Sequence, residues 1–406
     1  MTSKEKYTLN FPKKNWRKSK LGEFVREVNE TSRNPIKDGL NCIVGLEHID
    51  TETIHLKRFA ELNNTTTFTK VFKKGQILFG RRRAYLKKAA QANFNGICSG
   101  DITVMEAKDG LLPELLPFLI HNDRFFDYAI KNSAGSLSPR VKFKDLAEFE
   151  FLLPPKEDQT KLAKLLWAAD NVVEKDKELL EKLENMLTIY INQSMIHCGN
   201  NSSKLIEGKC GLVDSKVDVL QLKDCLSEKP AYGANASAKE FQEDAPRYIR
   251  ITDIDDFGNL LNEEKVTIAS KDYEQYILND GDFLFARTGN TVGKTLLFKE
   301  EYGKSVFAGY LIRFRLNTLK LNPKFLFYFT KSLKYEIFKR KVTKVGAQPN
   351  INSEEYQSMY LPVPPIDMQD LIITRIDNIN ERITNVKSKL QSSQALLKSL
   401  INEVFV

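Results

Sequence analysis

At 406 residues the chain is longer than one hydrophobic core usually organises, and it suits two globular modules with helical extensions. It is 42% hydrophobic and 28% charged, its lysine-rich start is unlike a secretory signal, and no apolar run would span a bilayer, so a soluble cytoplasmic protein without a membrane partner is expected. The net charge of +8 suits a polyanionic partner, while Cys42, Cys98, Cys198, Cys210 and Cys225, with no Cys-x-x-Cys pair, and four scattered histidines argue against a disulfide framework or a metal site.

From about Trp16 to Leu153, short β-branched and aromatic runs alternate with Gly, Asn and Asp turns. Strands are expected at Ile43 to Ile49, Gln76 to Phe79 and Ile102 to Met105, and a helix from Leu112 to Asn132 with Leu115, Leu116, Leu119, Phe126 and Ile130 on one face. A long helix follows. Its apolar residues Leu162, Leu166, Ala169, Val173, Leu180, Leu183, Leu187 and Tyr190 alternate steps of four and three, broken once by Asp176. The Gly, Asn and Ser-rich stretch 199–216 reads as a linker.

Beyond it the chain repeats itself. Strands are expected near Tyr248 to Ile254, Asp282 to Ala286 and Leu311 to Arg315, then a helix near Pro323 to Lys341 and a second long helix. The seam of that helix is Ile372, Ile376, Ile379, Ile383, Val386, Leu390, Ser393, Leu397, Leu400 and Val404. Pro154, Pro155 and Gln159 answer to Pro364, Pro365 and Gln369, an offset of 210 (364 less 154). Gly75 to Arg81 answers to Gly281 to Arg287, Val44 to Asp50 to Ile249 to Asp255, and Leu112 to Leu116 to Asn322 to Leu326. So long a period means a duplicated domain, not a solenoid. The expected division is a module over 1–153, a helix over 154–198, the linker, a module over 217–363 and a helix over 364–406.

Each seam needs a helix to cover it, and one chain with two such helices solves this by packing them antiparallel, although each could instead pack on its own module. About 40 residues at 1.5 Å each reach about 60 Å. Two unlike modules on such a spacer suit an extended ligand with two recognition points, and duplex DNA, whose successive turns lie about 34 to 36 Å apart, fits.

The candidate contacts in the first module are Arg81, Arg82, Arg83, Lys87 and Lys88, with Tyr85 among them for packing or stacking. In the second they are Arg287, Asn290, Thr291 and Lys294. Arg140, Gln348 and Asn350 lie in loops before the closing strands. A solvated basic hairpin, or turns built on Gly289 and Gly293, would carry the same residues. Gly289 to Thr295 imitates a phosphate-binding loop but encloses three residues between its glycines where that motif needs four. No Gly-x-Gly-x-x-Gly, Gly-x-Ser-x-Gly or His-Glu-x-x-His pattern is present.

Two modules, each leaving through Leu-Pro-Pro-Lys-Glu-Asp-Gln159 or Val-Pro-Pro-Ile-Asp-Met-Gln369 into a long helix, resemble the specificity subunit of a Type I restriction-modification enzyme from Trp16 to Phe405. The segments Gly75 to Arg81, Gly281 to Arg287 and Arg287 to Lys294 also resemble that family's target-recognition domains. The resemblance implies an α+β chain of two similar α/β target-recognition domains separated by two long antiparallel coiled-coil helices. It implies a non-catalytic subunit that recruits two methyltransferase subunits, and with them ATP-dependent restriction subunits, to a bipartite site on double-stranded DNA. The helices would act as a ruler and dock the methyltransferases. Asp367-Met368 departs from the glutamate usual before the glutamine. Leu153-Pro-Pro-Lys156 and Val363-Pro-Pro-Ile366 lack the polar and aromatic flanks of an adenine methyltransferase motif. S-adenosylmethionine, ATP and Mg are therefore expected on the partner subunits and none on this chain. The competing expectation is a coiled-coil interaction scaffold indifferent to DNA sequence.

Overall fold

A computed structural model of the chain describes residues 13–62, 66–199, 204–343 and 349–405. The chain divides into two compact units, one of residues 1–178 with 387–406 and one of residues 179–386.

In the first unit the central strand, Ile77–Gly80, is buried at every position, as its uninterrupted apolar sequence requires. It lies between Ile102–Ala107 and Ala89–Gln91 in an antiparallel sheet with Val25–Val28 at one edge. Ile77 and Phe79 point into one core with the helices; Leu78 points into another, toward a second sheet. There Cys42–Val44 pairs parallel with Gly96–Cys98 and antiparallel with Ala60–Glu61, and Lys70–Phe72 closes the far side. The second unit repeats the plan. Phe283–Ala286 is the central strand, with Phe283 and Phe285 in one core and Leu284 and Ala286 in another, and Arg247–Ile249 pairs parallel with Ser305–Phe307.

Three sequence expectations change. The run Ile43 to Ile49 is a strand only over Cys42–Val44, because His48 Nδ1 accepts the Gly45 N–H at 2.9 Å and winds Leu46–His48 into a 3-10 turn. Asp253 does the same to Arg250 N–H at 2.8 Å in the repeat. The single helix over Leu112 to Asn132 is two, Leu116–Ile120 and Asp123–Lys131, since Asn122 Oδ1 accepts the Arg124 N–H at 2.9 Å and starts a new helix. That break leaves Ile130 exposed. Its counterpart is likewise split into Pro323–Phe329 and Leu333–Val342. Finally, the linker contains a hairpin, Leu205–Gly208 with Gly211–Asp214, turned at Gly211 with φ of 84°.

The long helices are Lys156–His197 and Ile366–Val404. In the first unit Leu162, Leu166 and Val173 share a core with Leu397, Leu400, Ile401, Val404 and Phe405, with Leu390 packed against it. Asp176 accepts from Lys389 Nζ at 2.8 Å and Ser393 Oγ at 3.2 Å, while the Leu152 N–H reaches Phe405 O, so the chain directions are opposed. The polar breaks in the two seams thus face each other, and Asp176, only 3% exposed, finds its partners on the other helix. In the second unit Ile191 and Met195 share a core with Ile372 and Ile376, and Leu187 packs against it. Ile383 is buried, while Leu180, Leu183, Ile379 and Val386 are half-buried. Both seam expectations therefore hold together, since the helix ends complete a module core and also pair with each other.

The Pro-Pro-x-x-x-Gln step acquires a physical reason. Gln159 is a buried strut: its Oε1 accepts the Leu112 N–H at 2.7 Å and its Nε2 donates to Gly110 O and Pro154 O. Gln369 makes the same three bonds, to the Asn322 N–H and to Lys320 O and Pro364 O. Each glutamine ties the start of a long helix to the loop that enters its module's helices. No helix among the described residues is long and apolar enough to cross a membrane.

Candidate nucleic-acid interface

The central strand of each module runs out into an arm whose backbone is locked on two sides. In the first module the Arg81 N–H donates to Asp101 O at 3.0 Å, the Val141 N–H to Arg81 O at 3.0 Å and the Arg83 N–H to Pro139 O at 2.8 Å. Arg82 bridges Arg140. In the second module the Arg287 N–H donates to Tyr310 O, the Ile351 N–H to Arg287 O and the Gly289 N–H to Pro349 O, and Thr288 bridges Asn350. The frames are equivalent rung by rung. The two stretches that the sequence placed in separate loops, around Arg81 and around Arg140, are one platform, as are those around Arg287 and Asn350.

The side chains on these frames differ. Asp101 accepts from Arg140 Nε at 2.8 Å and Arg82 Nη1 at 3.3 Å, and Arg82 Nη2 donates to Ser138 Oγ at 3.0 Å. The hydrogen bond from Arg140 holds the Asp101 carboxyl below the usual carboxylate range, against the effect of burial. Arg83 and Tyr85 are exposed, Arg83 in the left-handed region at φ of 54°. Arg81 is half-buried. Lys87 and Lys88 are engaged inside the protein: Lys87 Nζ pairs with Asp123 at 2.7 Å and Glu52 at 3.4 Å, and Lys88 Nζ donates to Leu46 O at 2.6 Å.

In the second arm the Arg287 guanidinium stacks over the Tyr232 ring at 4.9 Å. Asn290 and Asn350 are exposed; Thr291 Oγ1 donates to Thr288 O at 3.0 Å. Lys294 Nζ meets Asp256 at 2.9 Å and Ile254 O at 3.1 Å. The stretch resembling a phosphate-binding loop is a hairpin turn, Gly289–Thr291, followed by the strand Thr295–Leu297 and not by a helix. Gln348 lies outside the described residues.

Sequence reasoning missed Asp101, Ser138, Tyr232 and Tyr310, which shape the platforms. Only chain pairing brings them there, and nothing in the local sequence marks them. It also missed Asn192 and Asn402, although these do carry a signal: they keep the offset of 210 (402 less 192) shown by the glutamines.

The sequence profile described as Type I restriction modification DNA specificity domain matches residues 13–185 and 216–392, both repeats. The MjaVIII specificity subunit of the Type I restriction enzyme of Methanocaldococcus jannaschii is 24% identical over 76% of this chain and 73% of its own length. The StySPI specificity subunit of Salmonella potsdam is 22% identical over 68% of this chain and 62% of its own. Among solved structures, the S subunit of the M. genitalium Type-I restriction-modification system superposes with a TM-score of 0.58 at 14% identity, covering 100% of this chain and 99% of the other. A chain from work on complex assembly and conformational transition of the type I R-M system gives 0.59 at 20% identity, covering 95% of each chain. The fold is shared at that level. The chain belongs to the family of Type I restriction-modification specificity subunits.

Proposed function

We propose that this chain reads a bipartite, asymmetric site on duplex DNA, one half through each module, while the paired helices set the distance between halves and dock two methyltransferase subunits. The observation that carries this reading is the pair of equivalent backbone frames with unlike outward groups, Arg82, Arg83, Tyr85 and Arg140 on one and Asn290, Tyr310 and Asn350 on the other. Two copies of one reader with different reading groups recognise two different sequences. Phosphate contacts supply affinity that falls steeply with salt. The chain itself does no chemistry: S-adenosylmethionine, ATP and Mg act on the methyltransferase and restriction subunits that it brings to the site.

The test is single-molecule sequencing of adenine methylation in cells that express the chain with its cognate methyltransferase, against cells lacking the chain. A new split motif of two unlike halves is expected, and exchanging residues 16–153 for those of another specificity subunit should change one half only. An active, bound methyltransferase that leaves no chain-dependent motif would sink the reading in favour of a scaffold indifferent to sequence.

A further inference from the structure

Three segments of the first module converge on one carboxylate. The Asp101 carbonyl receives the Arg81 N–H, its own N–H donates to Ser99 Oγ at 3.2 Å, and its side chain accepts Arg140 Nε at 2.8 Å, Arg140 Nη2 at 3.4 Å and Arg82 Nη1 at 3.3 Å. Arg82 and Arg140 leave opposite sides of one rung of the bridged backbone and meet on the same group. Ser138 takes a further Arg82 donor at 3.0 Å. The arginines are thus fixed on one side, while Arg140 stays exposed and Arg82 partly so.

Two consequences follow. A guanidinium has five N–H donors in a planar fork, and engaging some of them on a carboxylate aims the rest. Side-chain freedom already lost in the free protein is not lost again on binding. The carboxylate also offsets part of the charge of two arginines that would otherwise attract any phosphate regardless of sequence.

We propose that Asp101 is a specificity-determining positioning residue, which holds Arg82 and Arg140 as a pre-aimed pair for an acceptor-rich base edge in the first module's half-site and restrains that pair from binding phosphate indiscriminately. In the major groove such an edge, two acceptors side by side, is that of guanine. In the second module Tyr310 stands at that rung in place of Asp101, with Thr288 and Asn350 beside it, and none of these is a carboxylate. The control is therefore confined to one half of the target. This inference rests on the DNA-reading function proposed above.

The experiment uses the complex of the chain with its methyltransferase, with Asp101→Asn and Asp101→Glu variants. It measures binding to the cognate duplex and to a scrambled duplex of equal length across a salt series, together with the methylation motif in cells. For Asp101→Asn, affinity for scrambled DNA is expected to rise with a steeper salt dependence, and the cognate-to-scrambled ratio to fall about tenfold or more. The first half of the motif should become degenerate while the second stays strict. Asp101→Glu keeps the carboxylate and should recover most of the discrimination. If Asp101 merely braces the fold, cognate and scrambled binding fall together with the melting temperature, and the proposal is overturned. An unchanged ratio with an unchanged motif overturns it as well. Absence of any split motif with the unsubstituted chain would instead fail the DNA reading itself, and this role with it.

Discussion

The arms of the two modules show what duplication has kept and what it has released. After the central strand, the first sets Arg82 opposite Arg140 over Asp101, and the second sets Thr288 opposite Asn350 beside Tyr310. The backbone hydrogen bonds beneath them correspond one for one. Elsewhere the shared residues are those that satisfy turn backbone: Gln76 accepts the Lys73 N–H at 2.8 Å as Asp282 accepts the Asn279 N–H at 2.9 Å, after glycines at φ of 91° and 81°. An unsatisfied buried amide is costly wherever it lies, so its partner is retained. A side chain that faces solvent carries no such constraint and diverges with whatever it meets.

The glutamine struts test the conserved side of this contrast most severely. Gln159 is 3% exposed and Gln369 fully buried, and each satisfies one backbone N–H and two carbonyls. Truncation to alanine leaves those groups without partners, at about 1–3 kcal/mol per buried group, so Gln159→Ala and Gln369→Ala should each destabilise their own unit by about 3 kcal/mol or more. Denaturant unfolding of both variants checks this. A cost in one repeat and none in the other would show that the two steps are not structurally equivalent.

A smaller effect separates the modules by pH. His121 and Lys331 occupy the same place, between the two split helices, and reach the same strand: His121 Nε2 donates to Ala89 O at 2.8 Å, and Lys331 Nζ to Thr295 Oγ1 at 3.4 Å. Burial pulls the His121 pKa down to about 4, against the hydrogen bond to Ala89, and burial pulls Lys331 down to about 8. Both folded values lie below the unfolded ones, so each contributes stability above its unfolded pKa and loses it as pH falls through the folded value. The first unit should therefore weaken between about pH 6.5 and pH 4, and the second between about pH 10.4 and pH 8. Each effect is at most about 3 kcal/mol, and water reduces it, since both residues are half-buried. Melting curves across pH should show a shallower loss between about pH 6.5 and pH 4 in His121→Gln, with the remaining acid loss carried by carboxylates such as Asp101 and Asp123 that their partners hold below the ordinary range, and a changed alkaline slope between about pH 8 and pH 10.4 in Lys331→Gln. Identical pH profiles for both variants would remove this distinction.

Legibility in the sequence follows the same division. The repeat, the central strands and both seams could be read because they are periodic or occur twice, and the facing of Asp176 by Ser393 was present as the polar interruption of each seam. Apolar periodicity runs unbroken over Leu112 to Asn132 and Pro323 to Lys341, yet each is two helices: the first is broken by the Asn122 cap, and in the second the Leu333 N–H that starts the new helix is satisfied by Asn192 of the long helix and not by a cap of its own. At the candidate interface, charge alone could not separate Arg83, which is exposed, from Lys87, whose partners Glu52 and Asp123 lie far along the chain. Basic residues are countable in sequence, but their occupancy is a tertiary fact.

The finest difference between the repeats concerns how a long helix grips the module. Asn402 Oδ1 accepts the Asp123 N–H at 2.9 Å and its Nδ2 donates to Asp123 Oδ2 at 2.8 Å, while Asn122 Nδ2 donates to Ile401 O at 2.8 Å. In the other unit Asn192 Oδ1 accepts the Leu333 N–H at 2.7 Å, but its Nδ2 turns back to Thr188 O within its own helix. Each asparagine satisfies the first amide of a module helix from outside that helix, a capping role worth about 1 kcal/mol. Asn402 adds a bond to a carboxylate, which at a helix start is already favourably placed. Asn402→Ala is expected to cost about 1–2 kcal/mol and Asn192→Ala about 1 kcal/mol or less, read from chemical denaturation of the two variants. Asn402→Asp would keep the acceptor for the Asp123 N–H but set two carboxylates together, so it should recover little at neutral pH and more as the pH falls and one of them takes up a proton. The corresponding Asn192→Asp faces no carboxylate at Leu333 and should retain most of the cap at neutral pH. Equal behaviour of the two aspartate variants would mean that the Asp123 contact contributes nothing, and that the helices hold both modules alike.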